Sequence, residues 1–200
     1  RDERKALDAL REEIERVGVG FGCSAEDAKN VNELCRGVEA CMSIQNAARS
    51  SRLWGSWRLK FTDQPAMVKN KGVTGLGSIP FTGFVELTQT LCSNGTAVVE
   101  EVLTVPPFGI ESRNYLRGTV TQAAPEVIEQ TYVEVSMGSF FKSDSSKVQP
   151  AIKVGEDVFF SKAVLAISYL DEDLRICRTR SDHVYVFERS SYEFKSYVAI

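Results

Sequence analysis

Leu53-Trp-Gly-Ser-Trp-Arg-Leu-Lys-Phe-Thr62 is the stretch at which the chain changes its period. Before it, apolar residues recur every three or four positions. From Trp54 to Thr62 they alternate, with Trp57, Leu59 and Phe61 on one face, which is the mark of a strand half-buried against a core. The alternation returns through the rest of the chain. Runs from Phe81 to Leu91, Thr96 to Val105, Ile110 to Gln122, Glu126 to Met137, Val158 to Tyr169, Leu174 to Arg178 and His183 to Arg189 each read as a strand. Asn94-Gly95 between two of them is the strongest short hairpin signal in the chain. Pro106-Pro107, Ala124-Pro125, Ser143 to Pro150, Asp171 to Asp173 and Thr179 to Asp182 supply the other breaks. About eight strands in series, with no helix between them, predict a mainly β protein whose strands run up and down in an antiparallel barrel. A barrel of that size has room inside for side chains or for one small ligand.

Upstream of the period change, residues 1–50 predict a segment of two helices. Ala6, Leu7, Leu10, Ile14 and Val17 form one helical stripe, which Gly18, Gly20 and Gly22 interrupt. Ser24 with Asp27 predicts a capping box. Val31, Leu34, Cys35, Val38, Cys41, Met42 and Gln45 form the second stripe. These faces are expected to dock on the barrel, as a plug or a flank, rather than to meet a membrane. Residues 51–190 then make up the barrel and 191–200 a tail.

Composition narrows the function. The 200 residues are 43% hydrophobic and 26% charged, which is ordinary for a globular domain. A formal charge of -3 and a pI near 5.4 give no basic surface for nucleic acid. No apolar run reaches the roughly 20 residues that cross a bilayer as a helix, so membrane contact is expected to be peripheral. A chain opening at Arg1 is consistent with a removed targeting peptide. The five cysteines, Cys23, Cys35, Cys41, Cys92 and Cys177, contain no C-x-x-C pair, so they are expected to be free thiols rather than zinc ligands.

Chemical motifs are few. His183 is the sole histidine, and no G-x-S-x-G elbow accompanies it. It is read as a strand-start residue beside Asp182. Asp171-Glu172-Asp173 reads as a solvated turn, pairing with Arg175 or Arg178, rather than as an acid–base pair or a calcium loop. Gly72, Gly75 and Gly77 are followed by Pro80 and a strand, which excludes a dinucleotide loop. The expectation is a protein without catalytic residues and without a metal.

Two blocks carry a family resemblance. One is the opening stretch, with its G-x-W at Gly55 to Trp57. The other is Tyr169-Leu-Asp-Glu-Asp-Leu-Arg-Ile-Cys-Arg178, followed by Val184-Tyr-Val-Phe-Glu-Arg189. Together they resemble the plastid lipid-associated protein (fibrillin) family, which is lipocalin-like, over roughly residues 4–190. Ser136 to Val154 and Ser190 to Ile200 depart from the pattern. The resemblance implies a lipocalin-like barrel in a chloroplast protein at thylakoids or plastoglobules, binding a lipid, fatty acid or isoprenoid without any other cofactor. Trp57 and Arg189 are expected to be a structural pair, the indole plugging the narrow end and the guanidinium stacking on it.

Strand parity nominates Leu59, Phe61, Val85, Leu87, Tyr115, Arg117, Tyr132 and Phe160 as lining for the ligand, with Arg113 or Arg117 as partners for a headgroup. Gly72, Gly75, Leu76, Gly77 and Ile79 are expected to form a lid over the mouth, with Leu76 and Ile79 as its apolar underside. A lipid carrier or lipid-globule protein is the first functional expectation. A structural or assembly subunit of a thylakoid protein complex, with a filled barrel and an exposed apolar patch on the helices or the tail, is the second. A chromophore lyase is the third, and no convergent set of ionisable groups supports it.

Overall fold

The computed structural model describes residues 2–41, 45–105, 109–138, 152–153 and 162–191. Its strands are β1 (Gly55–Thr62), β2 (Gly83–Leu91), β3 (Thr96–Val105), β4 (Ile110–Ala124), β5 (Val127–Ser136), β6 (Ile152–Lys153), β7 (Lys162–Leu170), β8 (Leu174–Arg178) and β9 (Val184–Arg189). All pairings are antiparallel. They run β1-β2-β3-β4-β5-β7-β8-β9, and β9 returns to β1, so eight strands close in a barrel-like ring. The short β6 is an addition to β5 that the sequence did not predict. Closure leaves these eight strands no free edge. The Asn94-Gly95 turn joins β2 to β3. Gly95 takes a φ of 86°, and the Asn94 side chain accepts from the Thr96 amide at 3.0 Å.

Two cores lie on opposite sides of the wall. One draws Leu59, Leu87, Val99, Leu116, Ile128, Leu165, Cys177 and Phe187 from all eight ring strands. A cluster fed by every strand of a closed ring must lie inside it. The other joins Phe61, Tyr169, Leu174, Ile176, Val184 and Val186 to the N-terminal helices.

Those helices are α1 (Asp2–Val17) and α2 (Ala25–Cys41). They flank the ring and do not plug it. Leu10 and Ile14 of α1, with Val31, Cys35 and Val38 of α2, form the buried stripe, whereas Cys41 is exposed and Gln45 lies beyond the helix. Met42 lies outside the described residues. The capping box forms: the Asp27 amide donates to Ser24 Oγ at 3.1 Å, and the Ser24 hydroxyl donates to Asp27 Oδ2 at 2.7 Å. Arg16 of α1 bonds the same carboxylate, and these contacts hold Asp27 down to about 2.

Polar docking of α2 centres on Glu39. Its two oxygens accept from Arg178 Nε and Nη2 at 2.8 and 2.9 Å, and Oε1 also accepts from the Ser168 hydroxyl at 2.6 Å. A forked guanidinium–carboxylate pair fixes orientation as well as energy. Glu39→Gln is expected to cost about 1–2 kcal/mol in urea unfolding, since one arm of the fork is lost while the apolar stripe remains. A loss below the error of the melt would show that the stripe alone docks the helices.

The register shifts at five places in the described pairings, two of them between Gln122 and Ala124 of β4 and between Ile167 and Tyr169 of β7, and the other three bear on the nominated lining. The β1–β9 register shifts between Leu59 and Phe61, the β2–β3 register between Phe84 and Glu86, and the β4–β5 register between Arg117 and Gly118. Each extra residue reverses which later side chains face inward.

Candidate functional site

The ring interior is the candidate site, and its two ends are built differently. At the end where Gly55 meets Leu91, Trp57 is fully buried and its indole N–H donates to the Leu53 carbonyl at 2.9 Å. Arg189 lies opposite Trp57 in the β1–β9 register, with its Cζ 3.9 Å from the indole centroid. The same guanidinium donates to the carbonyls of Trp54 at 2.8 Å and Glu172 at 3.0 Å, and also to that of Arg52. It thereby ties the last strand to the lead-in of the first. Gly55 has a φ of 127°, and a Cβ there would come within 2.7 Å of Arg189 Nη1. The G-x-W therefore needs its glycine for two reasons, the backbone conformation and the passing guanidinium.

At the other end, where Thr62 and Gly83 lie, residues 63–82 cross from β1 to β2. This segment contains the short helix α3 (Pro65–Asn70) and a 3-10 turn over Leu76–Ser78. Glu101, an inward residue of β3 with no exposed surface, latches it. Its Oε1 accepts from the amides of Val73 at 2.7 Å and Thr74 at 3.3 Å, and Oε2 accepts from the Thr74 hydroxyl. Burial raises the Glu101 pKa above the ordinary carboxylate value, and these hydrogen bonds pull it part of the way back. Gly72, at φ 135°, passes where any side chain would run into the Glu101 carboxylate, and a Cβ at Gly77 would strike the Lys71 carbonyl.

Between the two ends runs a polar thread. Arg175 of β8 is fully buried and faces inward, with its Cζ 4.3 Å from the Phe187 ring centroid and 4.9 Å from that of Trp57. It donates through Nη2 to Gln89 Oε1. Gln89 Nε2 donates to Gln130 Oε1 at 2.9 Å, and the Tyr132 hydroxyl donates to the same oxygen at 2.5 Å. β8, β2 and β5 are not neighbours in the ring, so these bonds span its interior.

Of the lining residues nominated from sequence, Leu59, Leu87 and Tyr132 meet inside. Four are corrected. Phe61 lies beyond the first bulge and faces the helices, beside Tyr169 and Val186. Val85 sits on the second bulge and is 45% exposed, while Phe84 turns inward toward Phe21. Tyr115 and Arg117 face outward, because Leu116 between them holds the inward position. Tyr115 donates its hydroxyl to Glu100 at 3.0 Å, and Arg113 also pairs with Glu100 at 2.9 Å, so Arg113 is part of an outer cluster. Phe160 lies outside the described residues.

The lid residues are also placed differently from the expectation in part. Gly72 and Gly77 are buried, and Gly75 and Leu76 are half-buried. Ile79 is 48% exposed, so it does not form a buried apolar underside. Phe81, two residues on, is 81% exposed at a φ of 67°. The turn is tied internally instead: the Thr82 hydroxyl donates to the carbonyls of Leu76 at 2.8 Å and Ile79 at 2.7 Å, and Ser78 donates to Gly75 at 2.7 Å.

Sequence reasoning missed Arg175, Gln89, Gln130 and Glu101. Gln89 and Gln130 did leave a trace, as polar residues at apolar parity beside Leu87 and Tyr132. The sequence reading offers Arg175 or Arg178 as the partner of the acidic turn. Instead Arg178 pairs with Glu39 and with Asp182 at 3.0 Å, and the turn is engaged by Arg189 and by Arg52, whose Nη2 is 3.9 Å from Glu172. Asp171 caps the turn through the amides of Asp173 and Leu174.

The remaining chemical candidates are occupied by structure. His183 precedes β9, with Nδ1 3.5 Å from Asp63, and Asp63 also accepts from the Val184 amide at 2.7 Å. All five cysteines are free; burial pushes the Cys35 thiol up to about 12 and raises that of Cys177. Such thiols are poor nucleophiles. Among the described residues no group of three or more histidine, cysteine or acidic side chains is placed to hold a metal.

The PAP_fibrillin family model matches residues 4–188, which takes in α2, all but the first two residues of α1 and the eight ring strands up to the last residue of β9. The chain belongs to the PAP_fibrillin family. PAP_fibrillin proteins are lipid-associated structural proteins linked to plastids, and they are generally not enzymes. A search of curated proteins finds no match for the chain. Trp57 and Glu101 lie within the PAP_fibrillin match, and Arg189, which stacks on Trp57, lies one residue beyond it.

Proposed function

We propose that this protein is a non-catalytic lipid-binding protein of plastid membranes and lipid globules, holding a small hydrophobic molecule inside the ring. The observation that carries this reading is the asymmetry of the two ends. One is sealed by a fully buried indole held between strands, and the other is covered by residues 63–82, a connection that contains no ring strand and is held to the wall by Asp63 at its start, by buried Met67 and by the Glu101 latch. A structural fold needs two sealed ends, whereas a container needs one that opens. The inner wall is apolar enough to bind by burial alone, at about 0.8 kcal/mol for each methylene taken from water. Exposed Ile79 and Phe81 stand at the covered end, where a lipid surface would meet them.

A second reading has its own support. The inward side chains pack closely on one another, with Trp57, Leu116, Ile128, Cys177 and Phe187 all essentially without exposed surface. A filled ring with an apolar tip suits a scaffold that docks on a thylakoid protein complex. That tip is on the β1–β2 connection and not on the helices.

Native mass spectrometry of the purified full chain, followed by organic extraction, separates the two. A stoichiometric lipid, fatty acid or isoprenoid quinone in the extract is the expected result. A bare chain mass that stays unchanged after addition of fatty acids and quinones would defeat the container reading and favour the scaffold.

A further inference from the structure

Arg175 is a full positive charge inside the ring with no negative partner among the described residues. None of the ion pairs among the described residues includes it. The two buried carboxylates of β3 are committed elsewhere, Glu101 to the β1–β2 segment and Glu100 to Arg113 and Tyr115. Of its three nitrogens only Nη2 has an acceptor, on Gln89; Nε and Nη1 have none among the described residues, and neither has Gln130 Nε2.

The imbalance is all of one kind. Arg175, Gln89, Gln130 and Tyr132 together bring many N–H and O–H donors against two amide oxygens and one phenol oxygen. That surplus of donors holds whichever way the two amides are turned. A buried donor without an acceptor is destabilising, and a buried charge without a partner more so. Burial accordingly pulls the Arg175 pKa below its ordinary value. The stacking on Phe187 and Trp57 satisfies the flat faces of the guanidinium; its edge, where the N–H groups point, still calls for an acceptor with two oxygens.

We propose that the ring interior is a headgroup site for a lipid ending in a carboxylate, with Arg175 as the residue that receives the headgroup. The proposal rests on the container reading above and adds the class of cargo. A carboxylate supplies the missing charge and two in-plane acceptors matched to the guanidinium edge. From there the acyl chain would extend toward the latched end among Leu59, Leu87, Leu116 and Ile128, parting side chains that pack on one another without it. A neutral quinone or ester would leave the charge uncompensated.

The test is a fluorescence titration of the full chain with cis-parinaric acid and with its methyl ester, which differ only in the headgroup. The acid is expected to bind about 10- to 100-fold more tightly than the ester, the factor corresponding to hydrogen bonds with a charged partner. In Arg175→Met, shown to be folded by circular dichroism, the acid is expected to fall to the affinity of the ester, with the ester unchanged. Acetate is expected not to displace the acid. Equal affinities for acid and ester in the wild type would overturn the headgroup proposal and leave the container reading intact. Binding of neither would overturn both. Retention of the acid preference in folded Arg175→Met would remove Arg175 from the role, and displacement by acetate would assign the site to a small free anion. If Arg175→Met does not fold, palmitate labelled with carbon-13 at the carboxyl decides on the wild-type chain. A carboxyl resonance that stays ionised well below its solution range supports the site, and ordinary titration overturns it.

Discussion

Trp57→Ala is expected to lower the unfolding free energy by about 3–5 kcal/mol, read as a shift of the urea midpoint with little change in slope. Three losses combine. The indole has no exposed surface, so its removal leaves a cavity that surrounding strands in a closed ring cannot collapse to fill. The Leu53 carbonyl loses its donor. Arg189 and Arg175, with their Cζ atoms 3.9 and 4.9 Å from the indole centroid, both lose the aromatic face they stack on. That last loss is unusual, because it strands two cations at once, one of them fully buried. Trp57→Phe separates the contributions: it keeps most of the volume and an aromatic face but no N–H, and is expected to cost about 1–2 kcal/mol. Near-wild-type stability of Trp57→Ala would show that the end of the ring is held by Arg189 and the strand pairing alone.

The Trp57–Arg189 pair was legible in the sequence because both partners sit in marked places: a G-x-W on the first strand, and an arginine ending the last. The strands were legible for a similar reason, since alternation and the Asn94-Gly95 turn are local properties. Which side chains face inward was not. The register shifts lie at Lys60, Val85, Ala123, Val133 and Ser168, and none of these residues announces a bulge; each exists because of how one strand registers on another. One extra residue was enough to send Phe61 to the helices and Val85 to the surface. Arg175 was misread for a different reason. Next to Asp171-Glu172-Asp173 an arginine looks like the partner of an acidic turn, yet β8 alternates Leu174 outward, Arg175 inward, Ile176 outward and Cys177 inward. The acidic turn found Arg189 and Arg52 from other parts of the chain. Long-range contacts of this kind decide the candidate site, and it was there that reading residues in order gave least.

Glu101→Leu is expected to release the β1–β2 segment, at a global cost of about 2–3 kcal/mol. Two amides and one hydroxyl, those of Val73 and Thr74, would lose their acceptor. Kept buried, they would cost about 1–3 kcal/mol each. The cost is capped because the segment can lift away and give those groups to water instead, so the larger effect is local. Hydrogen exchange at Val73 and Thr74 should become much faster, while the amides of β1 and β9 keep their protection. Unchanged exchange at Val73 and Thr74 would mean that the hydrogen bonds within the turn, not Glu101, hold the segment down. The latch also carries a pH dependence whose sign follows from the raised pKa of Glu101. Its folded value lies above the ordinary one of 4.5, so the folded state holds this proton more tightly than the unfolded state. The contribution to stability is therefore complete below about pH 4.5 and is lost as pH rises through the folded value. Wild-type protein should show that decline in thermal melts taken from pH 4.5 upward, and Glu101→Gln, which keeps an acceptor for the two amides but cannot ionise, should not. If the segment covers the entrance to the ring, the same variant pair links stability to exchange of cargo. Glu101→Leu should speed both entry and release of cis-parinaric acid, whereas Glu101→Gln should leave them close to the wild-type rates.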